Sequence, residues 1–167
     1  MTQFVTSGLA GVDLTALTAG TSTAGSGAAY TLGTKVTATD GSEWVYVQAA
    51  AALTIYSCLG IDENFQASLI TTALAAAGYS IGFNQVAFAQ YDMGWVCVKA
   101  NGNINCRLLN SCAADVQLYT SGTAGILDDT SASVTLIRGV VAVVAASNTA
   151  VGYREIIANY PSGTATP

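Results

Sequence analysis

The dipeptide Asn101-Gly102 sits inside "DMGWVCVKANGNINCRLL" (92–109), with strand-forming residues on both sides. Asn-Gly in that setting is the strongest short-range signal for a two-residue hairpin, because both positions of a type I′ turn need φ > 0. A turn there sets Ala100 opposite Asn103, Val98 opposite Asn105 and Cys97 opposite Cys106. The two cysteines then fall at a non-hydrogen-bonded pair, with Cα atoms ~4.5 Å apart. That distance is within a disulfide's range, and their face also carries Trp95, Ile104 and Leu108. The expectation is a tight hairpin whose facing thiols are either reduced core residues or a cross-strand bond.

A second turn signal, Asp40-Gly41, divides "LGTKVTATDGSEWVYVQA" (32–49). It places Val36 opposite Val45, Thr37 opposite Trp44 and Lys35 opposite Tyr46. Val36, Val45 and Val47 then form one apolar face, and Trp44 and Tyr46 stand on the other. A one-sided antiparallel sheet alternates more cleanly, so this ribbon lies between two layers or turns its second face to another subunit. "LTIYSCLGI" (53–61), "IGFNQVAFAQ" (81–90) and "VQLYTS" (116–121) read as strands, as does "SVTLIRGVVAVVAAS" (133–147). The apolar run 139–146 suggests a central, doubly covered strand. Between these, Phe65, Leu69, Ala73 and Ala76 recur at helical spacing in 62–78, with Gly78 suited to a C-terminal cap.

Many short β-rich runs separated by turns indicate an all-β fold, mainly an antiparallel sandwich or barrel with a jelly roll among the options. At most one short helix is expected. Residues 1–30, rich in Ala, Thr, Ser and Gly, read as an extended N-terminal arm, with Phe4, Val5, Leu9 and Leu14 as its anchors. Residues 31–160 form a single β-rich domain and 161–167 a C-terminal tail.

Charge narrows the function. Only 9% of the 167 residues are charged, while 51% are apolar, against roughly 25% charged in an average soluble protein. No apolar run reaches the ~18 residues of a membrane-spanning helix, so no membrane partner is expected. A surface with so few charges is poorly protected against association, which points to a subunit of an assembly. The net charge is −5 and the five basic residues are scattered. Nucleic acid, which needs a basic stripe, is therefore not an expected partner. The start "MTQFVTSGLAG" lacks the basic and apolar regions of a signal peptide, so synthesis and folding in a cytosol are expected.

There is no histidine, which removes Ser-His-Asp and Cys-His catalysis and the commonest metal ligand. Asp62-Glu63 and Asp128-Asp129 read as a helix start and a solvated turn, without the spaced ligands of a calcium loop. No phosphate loop and no CxxC pair occurs. No catalytic residue, metal or cofactor is expected, and an enzyme is not the expected class.

Three stretches carry a resemblance. "LGTKVTATDGSEWVYVQA" (32–49), "GYSIGFNQVAFAQYDMGWV" (78–96) and "CAADVQLYTSGTAGILDD" (112–129) resemble successive segments of small head proteins of tailed bacteriophages. The family is the capsid decoration, or cement, proteins. What the resemblance implies is a virion protein on the outer capsid surface, assembled in the host cytoplasm. It would often be a homotrimer, with the major capsid protein as its partner. Trp44 and Tyr46, together with the arm anchors, are the candidate interface. The alternative is a phage fibre, receptor- or glycan-binding β-domain, whose exposed aromatic rings would stack on sugars.

Overall fold

A computed structural model describes residues 11–131, 134–146 and 151–164. Ten strands and one short helix follow in the order β1 (Lys35–Thr37), β2 (Glu43–Ala49), β3 (Cys58–Ile61), β4 (Gln66–Leu69), α1 (Thr72–Ala76), β5 (Ser80–Asn84), β6 (Met93–Leu108), β7 (Gln117–Thr120), β8 (Leu127–Asp128), β9 (Leu136–Ala142) and β10 (Gly152–Gly163). The all-β expectation holds.

The strands belong to one mixed sheet, and their pairings close into two circuits. In the first, β2 pairs with β4, β4 with β3, β3 with β5, and both β5 and β2 pair with the first half of β6. In the second, the last half of β6 pairs with β10, β10 with β9, β9 with β7, and β7 with β8, which returns to β6 at Leu108↔Leu127. The sixteen-residue strand β6 is shared by both circuits.

The expected hairpin at Asn101-Gly102 is therefore absent, because β6 runs straight through the dipeptide. Strand β10 supplies partners on both sides of it, pairing Ile156 with Ile104 and Ile157 with Asn101. Gly102 and Asn103 are extra residues opposite that step. Gly102 uses its positive φ of 101° to make a bulge rather than a turn. An unbroken ladder to a long partner strand satisfies more backbone groups than a local ribbon would, so tertiary pairing overrides the local signal. The cysteine pair falls with the hairpin. Cys97 and Cys106 lie nine positions apart on one strand, and all four cysteines are free and buried.

A second irregularity sets which way β6 faces. Lys99 pairs with Glu43 and Cys97 with Trp44, leaving Val98 without a partner on β2. Before this bulge Met93, Trp95 and Cys97 face the larger core cluster, and after it Ala100, Ile104, Cys106 and Leu108 do. One extra residue inverts the alternation. It turns Lys99, Asn101, Asn105 and Arg107 outward along the second circuit.

The Asp40-Gly41 hairpin does form, with its register shifted by one. Ala38 pairs with Ser42 around a three-residue loop, and Gly41 takes φ 80° as such loops require. Val36 therefore faces Trp44 rather than Val45. Trp44 and Tyr46 belong to the larger cluster. Val45, Val47 and Ala49 join Leu59, Ile61, Ala67, Val96 and Val98 in a second cluster inside the first circuit. The ribbon thus lies between two apolar layers of its own chain.

Other segments depart from expectation in detail. The 53–61 run is strand only from Cys58, since Tyr56 turns the chain with φ 61°. The expected helix over 62–78 shrinks to α1. Asp62 instead closes a turn, its Oδ1 accepting from the N–H groups of Asn64 and Gln66, and 66–69 becomes β4. The run 139–146 gives β9 only as far as Ala142, beyond which Val143 and Val144 are exposed. Strand β10 continues to Gly163, so the first residues of the expected tail belong to the sheet.

The described part of the expected arm lies against its own chain. Thr18 exchanges backbone hydrogen bonds with Met93, both 2.8 Å, and Tyr46 donates its hydroxyl to Thr18 at 3.1 Å. Gln48 Nε2 donates to the Thr21 carbonyl at 3.1 Å. Tyr30 meets Tyr46 edge-on at 5.3 Å and Trp95 at 5.2 Å between centroids. These rings anchor residues 11–32 over the outer side of the first circuit.

Candidate interaction surface

Strand β10 alternates cleanly along its first half. Ile156 and Ala158 are buried in the larger cluster, while Tyr153, Glu155, Ile157 and Asn159 point outward. Register extends this outer wall sideways. Ile157 lies opposite Val141 of β9 and Asn101 of β6, and Tyr153 lies opposite Arg107. Val143 donates its N–H to the Glu155 carbonyl at 2.9 Å, which carries the wall past the end of β9. On the far side of β6, Arg107 donates its N–H to the Tyr56 carbonyl at 2.7 Å. The Tyr56 ring then packs on Tyr153 at 4.8 Å.

Exposed apolar side chains stand on the wall among the exposed polar residues Asn101, Arg138, Glu155 and Asn159. Tyr153 is 57% exposed and Ile157 39%. With Val143, Val144, Val151 and Tyr160, they make six of the eight large apolar side chains exposed among the described residues; the others are Leu17 and Ile55. At its lower end Tyr160 is held in place. Its hydroxyl donates to Glu43, its ring faces the Lys99 ammonium at 5.4 Å, and Lys99 pairs with Glu43 at 2.8 Å. The hydrogen bonds from Lys99 and Tyr160 hold the Glu43 carboxyl below its ordinary pKa, and the same carboxylate raises those of Lys99 and Tyr160.

Charge is unevenly divided. Strands β6, β9 and β10 carry Lys99, Arg107, Arg138 and Arg154 but only one acid, Glu155. Their sequence sums to +3, but Lys99 is paired with Glu43 of β2 at 2.8 Å, and Arg154 lies in the phase of Ile156 and Ala158, its Nε donating to the Ala145 carbonyl at 3.0 Å. The rest of the chain holds one basic and nine acidic residues, a charge of −8. The two parts make up the net −5.

The sequence-predicted interface sits elsewhere. Trp44 is 7% and Tyr46 1% exposed; both are core residues, so neither ring is available to an outside partner. Leu14 is half-buried against the larger cluster of its own chain. Phe4, Val5 and Leu9 lie outside the described residues. The exposed residues that sequence reasoning passed over are Tyr153 and Ile157. Their signal is the period-2 alternation of "YREIIAN" (153–159), in which large apolar residues occupy positions on the face opposite Ile156 and Ala158.

The more enclosed recess, edged by Lys35, Asp62 and Tyr160 over Val45, Ile61 and Val98, holds about 190 Å³. Two more open ones, over 24–32 and along β9 beside Gln117, hold about 510 and 340 Å³. One group among the described residues, Cys112, Asp128 and Asp129, brings three potential ligand atoms within 4.8 Å of one another. Two of its carboxylate oxygens already close the loop: Asp129 Oδ2 accepts from Ala113 N–H and Asp128 Oδ1 from Asp129 N–H, both at 2.9 Å. Burial, with the two acidic charges beside it, pushes the Cys112 thiol up to about 11, so it stays protonated at neutral pH.

The described residues form ten strands and one short helix, with Tyr153, Ile157 and Val143 exposed along β10 and just beyond β9. No known protein family, curated protein or solved structure matches the chain.

Proposed function

We propose that this chain is a structural virion protein that binds the outer surface of a phage capsid and stabilises contacts between major capsid subunits. The observation that carries the reading is the outer wall around Ile157 and Tyr153, which exposes apolar side chains on a chain with only 9% charged residues. Such a surface loses free energy when covered, at about 25 cal/mol per Å² of apolar area. The resemblance of 32–49, 78–96 and 112–129 to decoration proteins supplies the identity of the partner. The role is non-enzymatic: repeated around a closed shell, many modest interfaces resist internal pressure without chemistry. The test is co-sedimentation of purified chain with heads stripped of it. Parent protein should pellet with the heads, Ile157→Glu should stay in the supernatant, and equal pelleting of both would refute this assignment of the wall.

A second reading, a glycan-binding β-domain of a fibre, is favoured by the Tyr56–Tyr153 ring pair beside Arg107 and Glu155. Exposed rings flanked by hydrogen-bonding groups suit a sugar face. Loss of binding on Tyr153→Ala with free glycan as the probe would favour it over the shell reading.

A further inference from the structure

Asn101-Gly102 turns no hairpin, and the bulge it makes instead leaves a reactive pair at the surface. The side-chain amide of an asparagine can be attacked by the backbone nitrogen of the next residue, whose own side chain crowds the approach. Asn101 is the one asparagine of the chain followed by glycine. It is exposed, and a Cβ placed on Gly102 would meet nothing within 4 Å. Asn101 pairs with Ile157, but the next pair along β6 is Ile104 with Ile156. The Gly102 nitrogen therefore lies where the ladder is broken, and an extra residue at a bulge is not held by pairing. Side-chain contacts separate Asn101 from its neighbours as well. Asn103 donates its amide to Asp40 Oδ2 at 3.2 Å, and Asn84 gives its own to the Thr54 and Val86 carbonyls. The Asn101 amide has no hydrogen bond among the described residues. The comparable pair Asp40-Gly41 is protected. Asp40 Oδ1 accepts from Ser42 N–H at 3.0 Å and Ser42 Oγ at 2.6 Å, bonds that hold its carboxyl below the ordinary pKa, and an ionised carboxylate is a poor electrophile.

We propose that Asn101 is a self-modifying site that loses its side-chain amide by attack of the Gly102 nitrogen. That nitrogen bonds to Asn101 Cγ and gives up its proton, and the Cγ–Nδ2 bond breaks to release ammonia. Water, the one co-reactant, opens the resulting five-membered succinimide at either carbonyl, leaving aspartate or isoaspartate at 101. Either product makes the net charge of −5 one unit more negative and places a carboxylate opposite Ile157. Isoaspartate also adds a methylene to the main chain of β6, the strand that both circuits share. The site thus acts as a slow timer on the joint between the two circuits.

Incubating the folded full chain at physiological temperature, followed by peptide mapping, tests it. Intact mass should rise by one dalton and the gain should map to Asn101. The rate should climb with pH, because the attacking nitrogen must lose its proton. Asn101→Gln should stay at its starting mass and unfold like the parent, since the side chain is exposed. The urea-unfolded parent sets the scale: the folded chain should react no more than about tenfold slower, the small cost of local opening at a bulge. Once separated, the isoaspartate form should unfold at lower urea than the parent, while Asn101→Asp, which keeps the main-chain length, should not. A parent of constant mass, a gain that maps to another asparagine, or reaction only after unfolding overturns the proposal. An isoaspartate form as stable as the parent overturns the timer role.

Discussion

Replacing Tyr30 by Ala tests whether residues 11–32 are part of the chain's own folded body. Tyr30 contributes two ring pairs, with Tyr46 at 5.3 Å and Trp95 at 5.2 Å. Each such pair is worth ~0.5–1.5 kcal/mol beyond burial, so ~1–3 kcal/mol is lost from the pairs. Tyr30 is half-buried, and half of the ~1.5–3 kcal/mol of a fully buried large side chain adds roughly 1 kcal/mol. The total is ~2–4 kcal/mol, a large share of the ~5–15 kcal/mol that holds a domain together. Urea unfolding followed by tryptophan fluorescence reports the loss, since Trp95 lies against the removed ring. Limited proteolysis should cut the variant within 19–29 faster than the parent. Tyr30→Phe keeps both ring pairs and should behave like the parent. A Tyr30→Ala variant within ~0.5 kcal/mol of the parent, the range of inconsequential surface changes, would refute the view that this segment is anchored in cis.

The remaining predictions address the core and its thiols. Trp44→Ala should destabilise the fold by ~3–5 kcal/mol, because the ring is buried and its Nε1 donates to Ser42 Oγ at 2.8 Å; a variant of unchanged unfolding midpoint would return Trp44 to the surface. Intact mass without reductant should show no two-dalton deficit, and a thiol reagent should find its four cysteines only after unfolding. Burial pushes Cys97 up to about 12 from 9.0 and Cys112 up to about 11. Above pH ~9 the unfolded chain therefore binds fewer protons than the folded one. The thiol contribution is fully present below that pH and is lost as pH rises through 11 to 12, which unfolding curves from pH 8 to 11 will register as falling stability. Gly163→Ala should be strongly destabilising, since a Cβ there collides with the backbone carbonyl of Ala75 and drives α1 off β10; an unaltered melting curve would contradict that packing.

How much was legible in the sequence depended on how local the decisive interaction is. The all-β class followed from short β-rich runs between turn residues, and the two apolar faces of β2 left two layers or a subunit contact open, of which the chain's own two clusters take the first. The Asp40-Gly41 hairpin was legible in place, but its register was set by a third loop residue that the dipeptide does not encode. Asn101-Gly102 misled because positive φ serves a bulge as well as a turn, and the choice was made by β10, some fifty residues later in the chain. The facing of Cys97 and Cys106, deduced from that hairpin, failed for the same reason, while the reduced-core alternative holds. The helical spacing of Phe65, Leu69, Ala73 and Ala76 gave way because Phe65, with φ 58°, ends a turn held by Asp62, and β4 finds partners in both β2 and β3. The interface was sought at the largest aromatic rings, which the core had already claimed. The exposed apolar residues on the outward phase of 153–157 become visible only once it is known which phase faces in.

The most direct test of the central claim is the number of copies of this chain in purified particles, measured against the major capsid subunit by quantitative mass spectrometry. A shell-binding subunit predicts hundreds of copies per particle in a fixed ratio to the capsid protein. A handful of copies, or none, would contradict the account.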